Sequence, residues 1–379
     1  MPRPPYVNSH ISAMPSGVFS KFSGAISQLK PPIYPLHIGD TYLEPALGAR
    51  MEDIRTESFV GVHRYTRSEG LPSLIKAISL QKSVDSERVL ITAGATGGLH
   101  VLAMTLLEPG DEVLILAPYW PLIAGIVRSV GAIPIEVPFF DRPGSVQDRL
   151  APYVTAKTTA LYINSPNNPT GFVLDHKQAC ELAQIALDVG IWIWSDEVYE
   201  SLQFSGISLD LPSLAPDHTF SVFSFSKIYG MAGNRVGYII GPSAELMVEL
   251  SKAQKHTYYS VTTAAQYAAL QVLDCGQEWL ANAKKAYGGI GTEVAHMLDL
   301  PSPKGGTFLF IDVSKYLDSK GVDGFLEECI SHGLLLAPGE SFGVAYAQHI
   351  RLCFTSAPPN VVREGVQILK KIMADRLRN

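Results

Sequence analysis

TFSVFSFSKIYGMAGNRVGYIIG, Thr219 to Gly241, is an apolar run, a polar turn and a second apolar run. Short apolar runs bounded by turn residues read as buried strands. Between them stands Lys227, in a turn that also holds Ser224, Gly230, Gly233 and Arg235. An ammonium at the end of a buried strand costs free energy unless it is paired or its pKa is shifted. A lysine whose pKa is lowered in a pocket can form a covalent bond to an aldehyde. Taken alone, Lys227 reads better as a lysine that snorkels to the surface past its own methylenes.

The same strand pattern repeats upstream. RVLI, GDEVLILAP, AIPIEV, TALYIN and IWIWSD are apolar runs from residue 89 onward. Helical patterns separate several of them, at Leu99 to Leu107, Pro121 to Val130 and His176 to Val189. Strands that are apolar throughout and alternate with helices predict an α/β fold, with a mostly parallel sheet covered on both faces. After Gly241 the chain reads as helical to about residue 300. GGTFLFIDV, a helix, GLLLAPG, HIRLCF and a last helix from Pro358 then predict a small α+β domain. The first 50 residues are rich in proline and glycine and predict an arm and a loop rather than core. The expected division is residues 1–45 as arm and small-domain segment, 46–289 as large domain and 290–379 as small domain.

Composition narrows the function. The chain has 379 residues, 46% hydrophobic and 17% charged, as in soluble globular proteins. A net charge of −6 without a basic block disfavours nucleic acid and anionic membrane as partners. No apolar run is long enough to span a bilayer, and MPRPPYVNSH lacks the apolar core of a signal peptide. Cys180, Cys275, Cys329 and Cys353 form no CxxC, so neither a metal site nor a disulfide frame is expected. A reducing, cytoplasmic setting is the expectation.

Open α/β sheets bind ligands at the carboxyl ends of their strands. TAGATGGLH, residues 92–100, puts small residues Gly94, Ala95 and Thr96 where a strand turns into a helix, an arrangement suited to phosphate. A dinucleotide site would expect an acid at the end of the following strand, and Leu116-Ala117-Pro118 has none. Asp196 ends IWIWSD, where it serves either as a helix N-cap or as a partner for a protonated ring nitrogen. Arg235 can grip a phosphate dianion, and Ser224 can add a hydroxyl. Trp120, or Tyr119 beside it, offers a flat ring for stacking. One cofactor uses an aldehyde-binding lysine, a phosphate cradle, an arginine and serine, a carboxylate for a ring nitrogen and a stacking ring together: pyridoxal 5′-phosphate.

Three segments carry a resemblance. SFSKIYGMAGNRVGY fits SxxKxxGxxGxRxGY, NSPNNPTG fits NxPxNPTG, and SDEVY fits a DEVY stretch. In these the chain resembles the class I/II aminotransferase family of fold-type I pyridoxal-phosphate enzymes, from about residue 36 to the C-terminus. The resemblance implies a seven-stranded-type sheet between helices, with a smaller domain built from both ends of the chain. It implies that Lys227 forms an aldimine with the cofactor and shuttles the proton of a ping-pong transamination between an L-amino acid and a 2-oxo acid. Asp196 would pair with the ring nitrogen, Asn168 and Tyr199 with the ring's phenolate oxygen, and Trp120 would stack. Gly94, Ala95, Thr96, Ser224 and Arg235 would form the phosphate site. Arg351 in HIRLCF would clamp the substrate carboxylate, against the backbone of Ile38 and Gly39. Trp120 and Asn168 would also face the substrate. Tyr65 would reach the phosphate of a neighbouring subunit, which implies a homodimer with a shared site.

The chain departs from that pattern at LHIGDTYLEP, where the family often reads LxxGxPDF. A lyase or cyclase acting by β- or γ-elimination on a specialised amino acid would use the same residues. A ligand-sensing protein on this fold usually adds a DNA-binding segment, for which the stretch before residue 30 is too short and not basic.

Overall fold

The computed structural model describes residues 5–14, 17–140, 142–206 and 210–378. A two-residue strand, β1 (Tyr34–Pro35), comes first. The seven upstream apolar runs then form one sheet. Its strands are β2 (Val89–Thr92), β3 (Glu112–Ala117), β4 (Ile133–Pro138), β5 (Thr158–Asn164), β6 (Trp192–Asp196), β7 (Thr219–Ser224) and β8 (Gly237–Ile240), in the order β2-β8-β7-β6-β5-β3-β4. All are parallel except β8, which runs against both β2 and β7. Alternate residues of β3 show why these runs are apolar throughout. Val113 and Ile115 pack into one core, Leu114 and Leu116 into another on the opposite face.

Helices Gly94–Leu106, His176–Val189 and Ala244–Lys255 cover the sheet, and Thr263–Cys275 and Gln277–Met297 lead on from it. The C-terminal part holds β9 (Phe308–Asp312), β10 (Leu334–Leu335), β11 (Ala337–Pro338) and β12 (His349–Cys353), closed by the helix Pro359–Arg376. β12 lies between β11 and β9, antiparallel to both, while β10 pairs in parallel with β1.

Two expectations are corrected. The helix read from Leu99 begins at Gly94. Glycines weaken a helix interior, but the first turn has N–H groups without intrahelical partners anyway, so small residues are tolerated there. The first 50 residues are also more than an arm. Phe22, Tyr34 and Leu36 enter the core formed by residues 290–372, and Leu36 is fully buried. The β1–β10 pairing draws this proline-rich stretch in, which no local periodicity signals. Residues 1–4, 15 and 16 of the predicted N-terminal segment lie outside the described residues.

Candidate active site

The parallel strands end on one rim, and the turns after them line a cavity of about 370 Å³. β2 delivers Ala95 and Thr96, β3 Trp120, β5 Asn168, β6 Asp196 and Tyr199, and β7 Ser224 and Lys227. Because β8 runs the opposite way, Arg235 before its first residue reaches the same rim. Ile38 and Gly39 enter from the N-terminal segment and Arg351 from β12. Of the site residues expected from sequence, Gly94 and Tyr65 do not line the cavity. Gly94 stands just behind it with φ +66°, and a Cβ there would lie 2.5 Å from an Arg235 guanidinium nitrogen. Tyr65 is 85% exposed and touches only Tyr259 edge-on among its ring contacts, at 5.1 Å.

Lys227 is mostly buried. Its Nζ donates to the Gly39 carbonyl at 2.6 Å and stands 3.7 Å from an Asp40 carboxylate oxygen. Burial pulls its pKa below the ordinary lysine value, with Asp40 opposing and Arg235 and Arg351 assisting. Asp196 is buried with no cation among its described partners. Tyr162 donates to one carboxylate oxygen at 2.5 Å, and the Val198 N–H approaches the other at 3.4 Å. Burial outweighs these bonds and raises the Asp196 pKa to about 6. Asn164 donates to the Asp196 carbonyl and accepts from the Asn168 N–H, so the β5 and β6 ends are tied together.

Arg351 is buried between two aromatic faces, 4.2 Å from the Phe308 ring centre and 4.7 Å from Phe342. It donates to Asn168 Oδ1 at 3.0 Å and to the His37 carbonyl at 2.7 Å. Its Nε has no partner, and it forms no ion pair among the described residues. Burial lowers its pKa. Gly39 is required where it is, since a Cβ would lie 2.7 Å from the Phe308 ring. Arg235 donates to the Ala232 carbonyl at 2.8 Å and approaches Ser226 Oγ at 3.5 Å. The Ser224 hydroxyl caps the short helix Phe225–Ile228 by accepting from the Ser226 N–H. Tyr199 is buried, which raises its phenol pKa, and it packs edge-on against Phe308.

Trp120 lines the cavity, while Tyr119 is buried away from it and donates its hydroxyl to Glu136. The sequence reading missed Tyr162, His37 and Phe342, and gave Asn164 and Ser226, each just at a strand end, no role. Ser226 was within reach of inspection, one residue from Lys227. Tyr162 and Phe342 carry no local signal, because each acquires its place from a partner in a different element.

What this arrangement lacks defines what it can hold. A buried carboxylate wants a cation, a buried guanidinium wants an anion, and the first turn of Gly94–Leu106 points free N–H groups beside Arg235. A ligand with a protonated ring nitrogen and a phosphate, together with a carboxylate, supplies all three.

Comparisons with known proteins agree with that chemistry. A profile of the family described as aminotransferase class I and II matches residues 33–369. A probable aspartate/prephenate aminotransferase of Thermus aquaticus is 32% identical over 323 residues, covering 79% of this chain and 82% of that protein. An arginine–pyruvate transaminase of Pseudomonas aeruginosa is 32% identical over 283 residues, covering 72% and 71%. A solved aspartate aminotransferase of Thermus thermophilus, with maleate, is 26% identical and superposes with a TM-score of 0.87 over 97% of this chain and 100% of that one.

Proposed function

The chain belongs to the class I and II aminotransferase family and is a pyridoxal-phosphate-dependent transaminase, and from that premise we propose the roles of its cavity residues. The observation that carries them is the convergence of Lys227, Asp196, Arg235 and Arg351 on one cavity. The residues present fit the cofactor, as the uncompensated Asp196 carboxylate and the free N–H groups beside Arg235 indicate.

Pyridoxal phosphate, when bound, supplies an aldehyde that condenses with amines and a protonated ring that accepts the electron pair of a broken Cα–H bond. Lys227 would hold the cofactor through its Nζ and, once that Nζ is free, would carry the substrate's Cα proton as a general base and acid. Burial favours its neutral form, which both attachment to the aldehyde and removal of the Cα proton need. Asp196 would keep the ring nitrogen protonated, and Tyr162 fixes the carboxylate that would do so. Ala95, Thr96, Ser224 and Arg235 hold the phosphate, with Gly94 giving Arg235 room. Asn168 and Tyr199 would donate to the ring oxygen, and Trp120 would stack on the ring. Arg351 receives the substrate carboxylate on the side where Nε lacks a partner, next to the backbone of Ile38 and Gly39.

The names of the relatives favour transamination of an amino acid and a 2-oxo acid over elimination or cyclisation. We read residues 46–289 as the cofactor lobe and residues 1–45 with 290–379 as the lobe that closes on it, supported by the shared core of Tyr34, Leu36 and residues 290–372. A homodimer is supported by the exposed apolar side chains Leu47, Met51, Val60, Tyr65 and Tyr259. Residues 47–65 lie along the helix Thr263–Cys275, where Tyr267 bonds Val60 and Cys275 bonds Leu47. Tyr65 then serves the partner's cavity. A cytoplasmic location is supported by four unpaired cysteines.

The test is the visible spectrum of the holoenzyme during addition of amino acids without oxo acid. Transamination predicts stoichiometric conversion of the cofactor to its amine form. Accumulating ammonia with an unconverted cofactor contradicts it. Lys227→Ala should abolish turnover and the borohydride-fixable link to the protein.

A further inference from the structure

We propose that Glu136, which lies outside the cavity, is a positioning residue for the substrate's carboxylate. It clasps the chain between β11 and β12 onto the ends of β3 and β4, and so fixes an aromatic support of Arg351. The proposal rests on the reading above that Arg351 receives that carboxylate.

Glu136 is the single acid in the apolar run AIPIEV. It stands on the edge strand β4, opposite Ile115 of β3. Successive residues of a strand point to opposite faces. Val137 packs into the core that holds Leu114 and Leu116. Glu136 is therefore turned toward the other face, where Tyr119 and Tyr346 pack with Ile115. A half-buried carboxylate there needs donors, and it has two from distant parts of the chain. The Tyr119 hydroxyl donates to one oxygen, and the Val344 N–H donates to the other at 3.1 Å. Such bonds to an ionised group are about twice as strong as neutral ones.

The two ends of the clasp differ. Tyr119 is buried and is the fixed end, while Val344 is 81% exposed and is the end that needs holding. Val344 follows Phe342 by two residues, and the Phe342 ring centre lies 4.7 Å from the Arg351 guanidinium carbon. Two neutral bonds set the register of the same contact. The Tyr119 N–H donates to the Phe342 carbonyl at 3.0 Å, and the Tyr346 hydroxyl donates to the Ala117 carbonyl at 3.2 Å. All of these contacts are made within one chain. Arg351 and its other aromatic face, Phe308, stand on β12 and β9 of the C-terminal sheet. Phe342 is the face tied across to the seven-stranded sheet. Opening the clasp would free Phe342 and let the guanidinium turn. Asp196, Lys227 and Arg235 follow or precede β6, β7 and β8, which the clasp does not touch. Substrate affinity should therefore fall while cofactor affinity holds.

The experiment compares holoenzymes of wild type, Glu136→Ala, Glu136→Gln, Tyr119→Phe and Arg351→Ala. Maleate and 3-phenylpropionate, two carboxylates without an amino group, are titrated separately by calorimetry. Cofactor affinity is measured by equilibrium dialysis, and the Val344 amide by hydrogen exchange. Glu136→Ala should weaken the carboxylate that wild type prefers by about tenfold and speed exchange at Val344, with cofactor affinity unchanged. Glu136→Gln keeps an acceptor for Val344 without the charge and should fall between. Adding Tyr119→Phe to Glu136→Ala should cost nothing further, because the hydroxyl acts through the carboxylate. Carboxylate affinity unchanged in Glu136→Ala, or lost in parallel with cofactor affinity, overturns the proposal. If Glu136→Ala does not fold, Tyr119→Phe, which keeps the ring, decides by the same two affinities. If Arg351→Ala binds as wild type does, or wild type binds neither probe, the Arg351 reading falls and the proposal with it. If Arg351→Ala weakens binding and Glu136→Ala does not, the proposal alone falls.

Discussion

Asp196 and Arg351 are buried charged groups, which the proposed roles would pair with the cofactor and the substrate, so each is a cost that the apoprotein carries. For Asp196 the cost depends on pH. Its folded pKa, about 6, lies above the ordinary aspartate value of 3.8. The folded state therefore retains a proton that the unfolded state has lost. The stabilising contribution is present below pH 3.8 and is lost as pH rises through 6. Asp196→Asn removes that loss. The apoprotein variant should be more stable than wild type by about 3 kcal/mol at pH 8, with the difference vanishing near pH 4, as melting across pH would report. Its affinity for the cofactor should fall at the same time. A variant less stable than wild type at pH 8 would contradict the account. His37 has the opposite sign, since its folded pKa of about 4 lies below 6.5 and its contribution is lost as pH falls. Tyr162→Phe leaves Asp196 without its hydroxyl donor. The cofactor should dissociate about tenfold more readily, as expected for loss of a hydrogen bond to a buried charge, measurable by equilibrium dialysis. None of these partnerships was visible in sequence. Lys227, Arg235 and Asp196 stood out in sequence because each lies at the edge of an apolar run, Arg235 ahead of one and the others at the end of one; Tyr162 sits within a run and reads as packing.

At the scale of the element, the β7–β8 pair and the helix Gly94–Leu106 meet at backbone distance. A Cβ on Gly237 would lie 2.5 Å from the Phe223 carbonyl oxygen, and 2.8 and 2.9 Å from backbone atoms of Gly94 and Ala95. Backbone cannot swing aside as a side chain can. Gly237→Ala should lower stability by about 3 kcal/mol or more and release the cofactor, because it displaces the phosphate turn itself. Gly289→Ala is the control. That glycine lies in the helix Gln277–Met297 with nothing within 4 Å of a Cβ, so the change should be neutral or stabilise by up to about 1 kcal/mol. Thermal melts of both variants decide the point. Much of this layer was legible. The large-sheet strands are uniform apolar runs, and their order in sequence placed the site on one rim. The antiparallel sense of β8 was not legible, since buried parallel and antiparallel strands share the same composition. The start of Gly94–Leu106 was hidden by its glycines.

For the whole molecule, the exposed position of Tyr65 makes the assembly testable without a structure of it. Sedimentation should give a dimer. Co-expression of Tyr65→Ala with Lys227→Ala chains should recover activity that neither homodimer has, because one cavity of the hybrid holds an intact Lys227 beside an intact Tyr65. No recovery in a verified hybrid would place Tyr65 outside the site. The strand pairing that brings the N-terminal segment into the C-terminal core has a further consequence, in the order of manufacture. Tyr34 and Pro35 leave the ribosome about 300 residues ahead of Leu334 and Leu335, their only ladder partners among the described residues. At ordinary rates of synthesis that interval is roughly 15 to 60 s. All seven strands of the large sheet, with Lys227 and Arg235, are made within it; Arg351 comes after. A nascent chain stalled near residue 300 should resist protease across residues 89–240 while residues 30–40 remain cleavable. On the proposed roles, the newborn chain would acquire its grip on the cofactor first and its grip on the substrate last.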